Sequence, residues 1–186
     1  MSASISPKEK FPLKRSSDLL PPAGQTIFNE NFSFCLVLHN IRSVYNVGSI
    51  FRTADAAGVE KIILSGYTPS PTDHFGLPRK DFAKVSLGAE QTIPWIQTKT
   101  LAAAIKQLKK ENYFVVAVEQ APNATSLFDF EAPRNKKLAL VLGNEVRGIA
   151  KQSLKSMDAI IEIPMRGKKE SLNVSVAAGI VLFLLR

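Results

Sequence analysis

The chain has 186 residues, of which 45% are hydrophobic and 22% are charged, and its formal net charge at pH 7 is +8. This length suits one domain with its own hydrophobic core, and the composition excludes a wholly disordered chain. The single cysteine, Cys35, excludes an internal disulfide framework and cannot form a zinc site alone. The positive charge favours RNA, DNA or an anionic membrane surface as a partner, although a basic soluble enzyme would have the same composition.

Residues 1–33 differ in texture from the rest of the chain. Pro7, Pro12, Pro21 and Pro22 stand among scattered Ser, Lys and Asn residues without a sustained hydrophobic period. This pattern predicts a flexible or extended basic arm, followed by one folded domain over residues 34–186. No apolar run near the start resembles a signal peptide, so we expect a cytoplasmic protein.

Within residues 34–186, uniformly apolar segments alternate with segments of helical period. The predicted strands are Phe34–Leu38, Lys61–Leu64, Tyr113–Val118, Leu138–Leu142 and Ala159–Ile163. The predicted helices are Val47–Ala57, Thr98–Lys110, one that begins near Ala150, and Ser171–Leu185. The proline-rich residues 67–80 predict a loop. The alternation predicts an α/β fold with a mostly parallel sheet and helices on both faces.

The sequence predicts neither a membrane span nor a metal site. Ser171–Leu185, the longest uncharged stretch, is shorter than the ~20 apolar residues that a span requires, so we expect a buried helix. His39 and His74 stand far apart without acidic or cysteine companions at ligand spacing, so structural roles are expected for both.

Ligands of parallel α/β sheets bind beyond the carboxyl ends of the strands, and three clusters of informative residues follow predicted strands. In the first, Asn46 and Gly48 open a predicted helix, and Arg52 follows one turn later. Asn46 could simply cap the helix, and Arg52 could be a solvated charge. The interpretation of Arg52 as a solvated charge is weakened, because the surrounding stretch from Val44 to Ala54 is otherwise uncharged.

The second cluster is the segment Leu142–Gly148, LGNEVRG. Gly143 and Gly148 permit close approach of the backbone to a ligand. A phosphate loop of the Walker type is excluded, because Ile149 and Ala150 stand where Lys and Ser or Thr are required. No Gly-x-Gly-x-x-Gly follows a predicted strand, so a dinucleotide fingerprint is also without support.

The third cluster runs from Ile163 to Ala178. A loop that contains Arg166, Lys168 and Lys169 leads into a helix with Ser171 and Asn173 in its predicted first turn. Taken alone, Ser171 could be an N-cap and the basic residues a solvated loop.

Taken together, the three clusters resemble a known enzyme family. The segments Asn46–Arg52, Leu142–Gly148, and Ile163–Gly167 with Ser171–Ala178 resemble, in order, the three motifs of the SpoU (TrmH-type) RNA ribose 2′-O-methyltransferases of the SPOUT superfamily. The resemblance covers roughly residue 34 to the C-terminus. It implies a homodimer that uses S-adenosylmethionine to methylate a ribose 2′-hydroxyl of tRNA or rRNA. It also implies a C-terminal trefoil knot, which the general rule against threaded connections would not predict.

The resemblance also implies roles for individual residues. The implied cofactor pocket comprises Leu142, Gly143, Asn144, Ile163, Met165, Ser171 and Leu172. The implied catalytic group comprises Asn46, Arg52, Glu145, Ser171 and Asn173. Candidate RNA contacts in the domain are Arg42, Arg147, Arg166, Lys168 and Lys169, and further candidates are Arg79, Lys80 and Lys84. Lys8, Lys10, Lys14 and Arg15 are candidates in the arm, which at about 33 residues is too short for the RNA-binding domain that many relatives carry.

The family assigns the removal of the hydroxyl proton to the first-motif arginine, here Arg52. A guanidinium has a pKa above 12 and is a poor base, and a nearby RNA phosphate would favour its charged form further. We therefore expect Arg52 to position phosphate and ribose. Asn46 would support Arg52 or the ribose, and Glu145 is a second candidate for orienting Arg52.

Two other functions remain open at this point. The chain could be a catalytically silent RNA-binding protein on the same scaffold, although Asn46, Arg52, Glu145, Ser171 and Asn173 are all present. It could instead be a SPOUT enzyme that methylates a base nitrogen, although the second and third motifs fit the ribose-modifying branch better.

Overall fold

The computed structural model describes residues 33–133 and 135–185. The predicted arm lies outside these residues apart from Ser33. Seven strands occur in the described part of the chain: β1 Phe34–His39, β2 Lys61–Ser65, β3 Trp95–Thr98, β4 Tyr113–Val118, β5 Thr125–Ser126, β6 Lys137–Leu142 and β7 Ala159–Glu162. They form one sheet in the order β3-β2-β1-β6-β4-β7-β5, and every pair is parallel. The predicted parallel sheet is confirmed.

The same residues contain six helices: α1 Val44–Ala56, α2 Lys80–Ser86, α3 Ala89–Thr92, α4 Leu101–Lys110, α5 Lys151–Leu154 and α6 Val174–Leu185. They cover both faces of the sheet, as the pattern predicts. Successive side chains of a strand point to opposite faces, so Leu36 and Leu38 of β1 enter one core while Cys35 and Val37 enter the other. Helices α1, α2 and α6 pack in the first core, and α4 packs in the second.

The central strands β1 and β6 are uniformly apolar because helices cover both of their faces. Within β1, the five residues from Phe34 to Leu38 are buried. Within β6, the five residues from Leu138 to Leu142 are buried. Cys35 of β1 is a buried free thiol, and burial raises its pKa to about 12.

The sequence pattern misplaced the starts of three helices. Helix α1 begins at Val44, because the Ser43 side chain accepts a hydrogen bond from the Asn46 backbone N–H; the capping alternative for Asn46 is therefore wrong. Helix α4 begins at Leu101 with Thr100 as its cap, since β3 occupies residues 95–98.

Helix α6 begins at Val174 and not at Ser171. The Asn173 carbonyl accepts from the Ala177 N–H, and Asn173 Oδ1 accepts from the Ser175 N–H at 2.8 Å. Asn173 therefore caps the helix, and the capping alternative for Ser171 is wrong. Residues 171–173 remain non-helical, which keeps the third motif in a loop at the carboxyl edge of the sheet.

Helices α1 and α6 pack together on one face of the sheet. Val174, Ala178, Val181 and Leu182 form the buried side of α6.

None of the helices in residues 33–133 and 135–185 is long and apolar enough to cross a membrane.

Gly48 of the first motif lies at the contact between α1 and α2. A Cβ at this position would lie 3.2 Å from Val85 Cβ and 3.3 Å from the Phe82 carbonyl oxygen. The absence of a side chain lets the two helices approach closely, so Gly48 has a packing role.

Candidate active site

A cavity of about 330 Å³ lies beyond the carboxyl ends of β4, β6 and β7. All seven residues of the implied cofactor pocket line it: Leu142, Gly143, Asn144, Ile163, Met165, Ser171 and Leu172. The fold thus brings the second and third motifs to one cavity, at the edge of the sheet where parallel α/β folds bind ligands.

Three residues from the three motifs form a chain of hydrogen bonds at this edge. Asn46 Nδ2 donates to Glu145 Oε1 at 3.1 Å, and Asn46 Oδ1 accepts from Asn173 Nδ2 at 3.1 Å. These residues are separated by about a hundred positions or more along the chain. Four of the five implied catalytic residues therefore lie together, because Glu145 and Ser171 also line the cavity.

The Glu145 carboxylate faces the start of helix α1. Its oxygens accept from the Arg42 N–H at 3.1 Å, the Ser43 N–H at 3.5 Å and the Asn46 amide. Partial burial acts to raise the pKa of Glu145, but these hydrogen bonds and one from its own N–H outweigh it and lower the pKa. A lowered pKa makes this carboxylate a poor proton acceptor and a good anchor for the helix terminus.

The turn of the second motif requires glycine at both of its ends. A Cβ on Gly143 would lie 2.7 Å from the Gly148 carbonyl carbon, closer than atoms can approach. Gly148 has a φ of +60°, and a Cβ there would meet the Glu119 carboxylate at 2.3 Å. Glu119 Oε2 instead accepts from the Ile149 N–H at 2.7 Å and holds the end of the turn.

The side chain of Asn144 is committed to the protein. Its Oδ1 accepts from the N–H groups of Val146 and Arg147, at 3.0 and 2.8 Å. Its Nδ2 donates to the Asn40 carbonyl and to the Tyr67 hydroxyl, at 2.9 and 3.1 Å. Asn144 therefore shapes the turn and joins it to the loop after β2, and its side chain has little capacity left for a ligand.

Arg52 stands apart from the other implied catalytic residues. It is exposed on α1 and does not line the cavity, and its guanidinium makes no hydrogen bond or ion pair with another described residue. Ser171 is also exposed, and its hydroxyl has no hydrogen-bond partner in the described part of the chain. Both side chains are thus available to contact another molecule.

The candidate RNA contacts are exposed and lie outside the lining of the cavity. They are Arg42, Arg147, Arg166, Lys168 and Lys169. Arg79 differs from them, because its guanidinium pairs with Asp81 at 2.9 Å.

Four carboxylates are among the described residues that line the cavity, and of these the sequence predicted only Glu145 as a site residue. Glu119 follows β4, Glu162 ends β7, and Glu170 belongs to the loop of the third motif. The position of Glu119 after a strand was a usable signal, but no glycine or motif marked it. Within residues 33–133 and 135–185, no Lys, Arg or His lines the cavity.

This lining suits a particular type of ligand. Apolar side chains such as Leu142, Ile163 and Leu172 can cover a flat aromatic group, while the carboxylates favour positive charge. S-Adenosylmethionine combines an adenine ring with a sulfonium and an ammonium group, so the residues present fit it.

His39 makes two polar contacts within the fold. His39 Nδ1 lies 3.1 Å from Ser65 Oγ, and Nε2 lies 3.1 Å from the Asn40 amide nitrogen. Burial lowers the pKa of His39. Among the residues that the structure describes, no three His, Cys, Asp or Glu side chains cluster as metal ligands would.

Comparison with known proteins identifies the family. A model of the SpoU rRNA methylase family matches residues 33–183, which include all three motifs and the whole described sheet. The chain belongs to the SpoU rRNA methylase family. The family expectation drawn from the motifs is confirmed.

Individual relatives of the family are also similar. The 23S rRNA (guanosine-2′-O-)-methyltransferase RlmB of Escherichia coli K12 is 35% identical over 150 residues, which are 81% of this chain and 58% of that protein. A putative TrmH family tRNA/rRNA methyltransferase of Staphylococcus haemolyticus is 36% identical over 154 residues, 83% of this chain and 58% of that protein. The chain thus spans less than two thirds of the length of these curated relatives.

A solved structure agrees with the fold. The AdoMet-bound rRNA methyltransferase of Sinorhizobium meliloti superposes with a TM-score of 0.74 and 28% identity. The match covers 85% of this chain and 57% of that one. The α/β fold with its parallel sheet is therefore that of the SpoU methyltransferases.

Proposed function

We propose that this chain is an S-adenosylmethionine-dependent RNA methyltransferase that modifies a ribose 2′-hydroxyl of tRNA or rRNA. The observation that carries the proposal is the meeting of the three motifs, in which Glu145, Asn46 and Asn173 form one hydrogen-bonded chain beside the cavity. The similarity to the 2′-O-methyltransferase RlmB and to an AdoMet-bound rRNA methyltransferase supports the same reaction class.

The cofactor would be held mainly by the turn Leu142–Gly148 and the loop from Ile163 to Leu172. Gly143 leaves room for close backbone approach, and Leu142, Ile163, Met165 and Leu172 would surround the flat ring. Glu162 and Glu170 have no hydrogen bond to their carboxylates from the described residues, so they are free to attract the cationic portion. When bound, the cofactor supplies an electrophilic methyl group on sulfur.

The residues at the mouth of the cavity would act by holding the ribose in line with the methyl group of the cofactor. Much of the rate of a methyl transfer can come from holding nucleophile and methyl group in line. The exposed Ser171 hydroxyl and the amides of Asn46 and Asn173 can hydrogen-bond the ribose at the cavity mouth. Glu145 would fix Asn46 and, through it, Asn173, because its own oxygens are engaged by the start of α1.

Arg52 would position the RNA phosphate and ribose from a second subunit. It does not line the cavity of its own chain, and its guanidinium is free of partners among the described residues. A homodimer that packs α1 and α6 against a second copy would bring it to the neighbouring cavity. The half-exposed Val176, Phe183 and Leu184 of α6 provide apolar surface for such contact.

A methyl-transfer assay tests the proposal. Labelled S-adenosylmethionine is incubated with the protein and with either unmodified tRNA or unmodified rRNA, and the RNA is digested to nucleosides. A 2′-O-methylnucleoside in one pool is expected and would identify the substrate class. Methylated bases alone would overturn the proposal. Cofactor binding without transfer to either pool would favour a catalytically silent RNA-binding protein.

A further inference from the structure

A second groove, of about 620 Å³, shares two wall residues with the cavity of the active site. Glu119 and Gln120 line both. The groove lies between the segment after β4, residues 119–123, and the segment around α5, residues 147–155, with Ile160 of β7 in its lining. Its volume is in the range of sites that hold ligands of nucleotide size.

The groove has an apolar floor. Ile149 is 5% exposed, and Leu154 and Ile160 are partly buried against the second core. Pro122 contributes a further apolar surface on the opposite wall. An apolar floor of this kind can cover the face of a nucleobase.

The rim of the groove carries unpaired positive charge. Arg147, Lys151 and Lys155 line it, all three are exposed, and none makes an ion pair or side-chain hydrogen bond with another described residue. Among the described lining residues the one acid is Glu119, whose oxygens accept from the Ile149 and Gln120 N–H groups. The charge that a ligand meets is therefore predominantly positive.

Polar groups that could contact the edge of a base are also present. Asn123 lines the groove, and its amide has no hydrogen-bond partner in the described part of the chain. Gln120 donates through Nε2 to the Glu170 carbonyl at 2.7 Å, which leaves its amide oxygen as an acceptor.

We propose that this groove binds a nucleotide of the RNA substrate that flanks the methylated one, with the base on the Ile149, Leu154 and Ile160 floor and the phosphates at Lys151 and Lys155. This inference rests on the proposed function. An RNA strand fits these observations because it combines a flat apolar face with regularly spaced anions. Phosphate contacts of this kind fix the register of the strand without reading its sequence.

The position of the groove links it to the reaction centre. Arg147 belongs to the turn whose other residues line the cofactor cavity, and its N–H donates to Asn144 Oδ1 at 2.8 Å. A strand held in the groove would thus be anchored to the same turn that shapes the cavity. The neighbouring ribose would then reach the cavity across the wall formed by Glu119 and Gln120.

The double variant Lys151→Gln/Lys155→Gln tests the proposal, with Lys106→Gln/Lys110→Gln as a control that removes the same charge. Lys106 and Lys110 are exposed on α4, and Lys110 lies just before β4 begins, at the amino edge of the sheet and away from the groove. Each protein is titrated with a fluorescent single-stranded RNA of mixed sequence over a range of salt concentrations. S-Adenosylmethionine binding is measured in parallel.

We expect the groove variant to bind this RNA about tenfold more weakly at low salt, with cofactor affinity unchanged. The slope of log affinity against log salt should fall in magnitude by about 1.4, because two phosphate contacts on a single strand are lost. The control should retain most of the wild-type slope. Equal changes in both variants, or no change in either, would overturn the groove proposal even if the wild-type protein methylates RNA.

RNA binding and methyl transfer are measured separately, so failure of the groove proposal can be distinguished from failure of the proposed methyltransferase function. A wild-type protein that binds the RNA through Lys151 and Lys155 but transfers no methyl group would contradict the proposed function and leave the groove as an RNA site. Binding of an acidic peptide that requires Lys151 and Lys155, with no binding of the RNA, would overturn the groove proposal in favour of a protein partner.

Discussion

Asn173 Nδ2 donates a hydrogen bond of 3.1 Å to Asn46 Oδ1, across 127 positions of sequence. Asn173 also caps α6 through its Oδ1, and Asn46 lies in the first turn of α1. The bond therefore joins the starts of two helices that pack on the same face of the sheet. Asn46 Nδ2 also donates a hydrogen bond to Glu145 Oε1. The side-chain amide of Asn46 therefore couples the first motif to both of the others.

The variant Asn46→Ala tests this coupling. It removes the hydrogen bonds to Glu145 and Asn173, so we expect methyl transfer to fall by about 10²-fold or more as the positioning of the reacting groups is lost. The free energy of unfolding should fall by only about 1 kcal/mol, because the amide is half-buried. The measurements are steady-state transfer and urea unfolding.

Gln91→Ala is the matched control for this variant, because it removes an exposed amide on α3 that makes no side-chain hydrogen bond with the described residues. It should behave as wild type. Transfer that survives in Asn46→Ala would show that the amide bridge is not required.

The motif residues could be predicted from the sequence because each follows an apolar strand and carries a recognisable pattern. Glu119 also follows a strand, but nothing in its neighbours distinguishes it, and its contact with the Ile149 N–H depends on the folded turn. The segment containing α2, α3 and β3 was missed because these elements are short and β3 is an edge strand with Ile96 exposed. The trefoil knot stays a prediction, since the threading of a chain leaves no trace in local hydrophobic pattern.

Gly143 and Gly167, which lie in the second and third motifs, should respond differently to alanine. Gly143→Ala would place a Cβ 2.7 Å from the Gly148 backbone, so the turn must distort. We expect a loss of about 1–3 kcal/mol in the free energy of unfolding and a large loss of cofactor affinity. Calorimetric titration with S-adenosylmethionine and urea unfolding provide the two readings.

Gly167→Ala supplies the comparison for that variant. Gly167 lies in the third-motif loop, and a Cβ there would have no atom of the described residues within 4 Å. Its stability and cofactor affinity should therefore remain close to those of wild type. A similar loss in both variants would contradict the steric explanation.

Glu145 should contribute to the free energy of unfolding in a pH-dependent way. Because hydrogen bonds lower its pKa below 4.5 in the folded state, its contribution is present above pH 4.5 and is lost as pH falls through the lower folded value. The variant Glu145→Gln should therefore be less stable than wild type at neutral pH, and the difference should shrink in acid. Urea midpoints at neutral pH and in acid measure this difference.

Glu131→Gln is the control, because the exposed Glu131 carboxylate makes no hydrogen bond with the rest of the described chain. Its difference from wild type should show little change with pH. A Glu145→Gln difference that stays constant or grows in acid would contradict the assigned hydrogen bonds.

If Arg52 acts in the site of the neighbouring subunit, two inactive variants should restore activity to each other in a heterodimer. Arg52→Ala should lose most turnover while it retains cofactor affinity, because Arg52 does not line the cavity of its own chain. Asn173→Ala should also lose turnover, through the cavity side of the site. When the two inactive proteins are mixed, unfolded and refolded together, measurable methyl transfer should return. The reason is that a heterodimer contains one site with both residues intact.

The same mixture separates a contribution in trans from one within the chain. No recovery, with heterodimers demonstrated by differently tagged subunits, would show that Arg52 serves its own subunit. Loss of cofactor affinity in Arg52→Ala, equal to its loss of turnover, would show that the side chain is structural.

The most direct test of the account is the position of the transferred methyl group within the RNA. A methylated 2′-oxygen cannot attack the neighbouring phosphodiester, so alkali leaves the modified nucleotide joined to its neighbour. RNA labelled by this protein from S-adenosylmethionine and then hydrolysed in alkali should release its label in dinucleotides. Label released entirely in mononucleotides would place the methyl group on a base and would contradict the proposed ribose methylation.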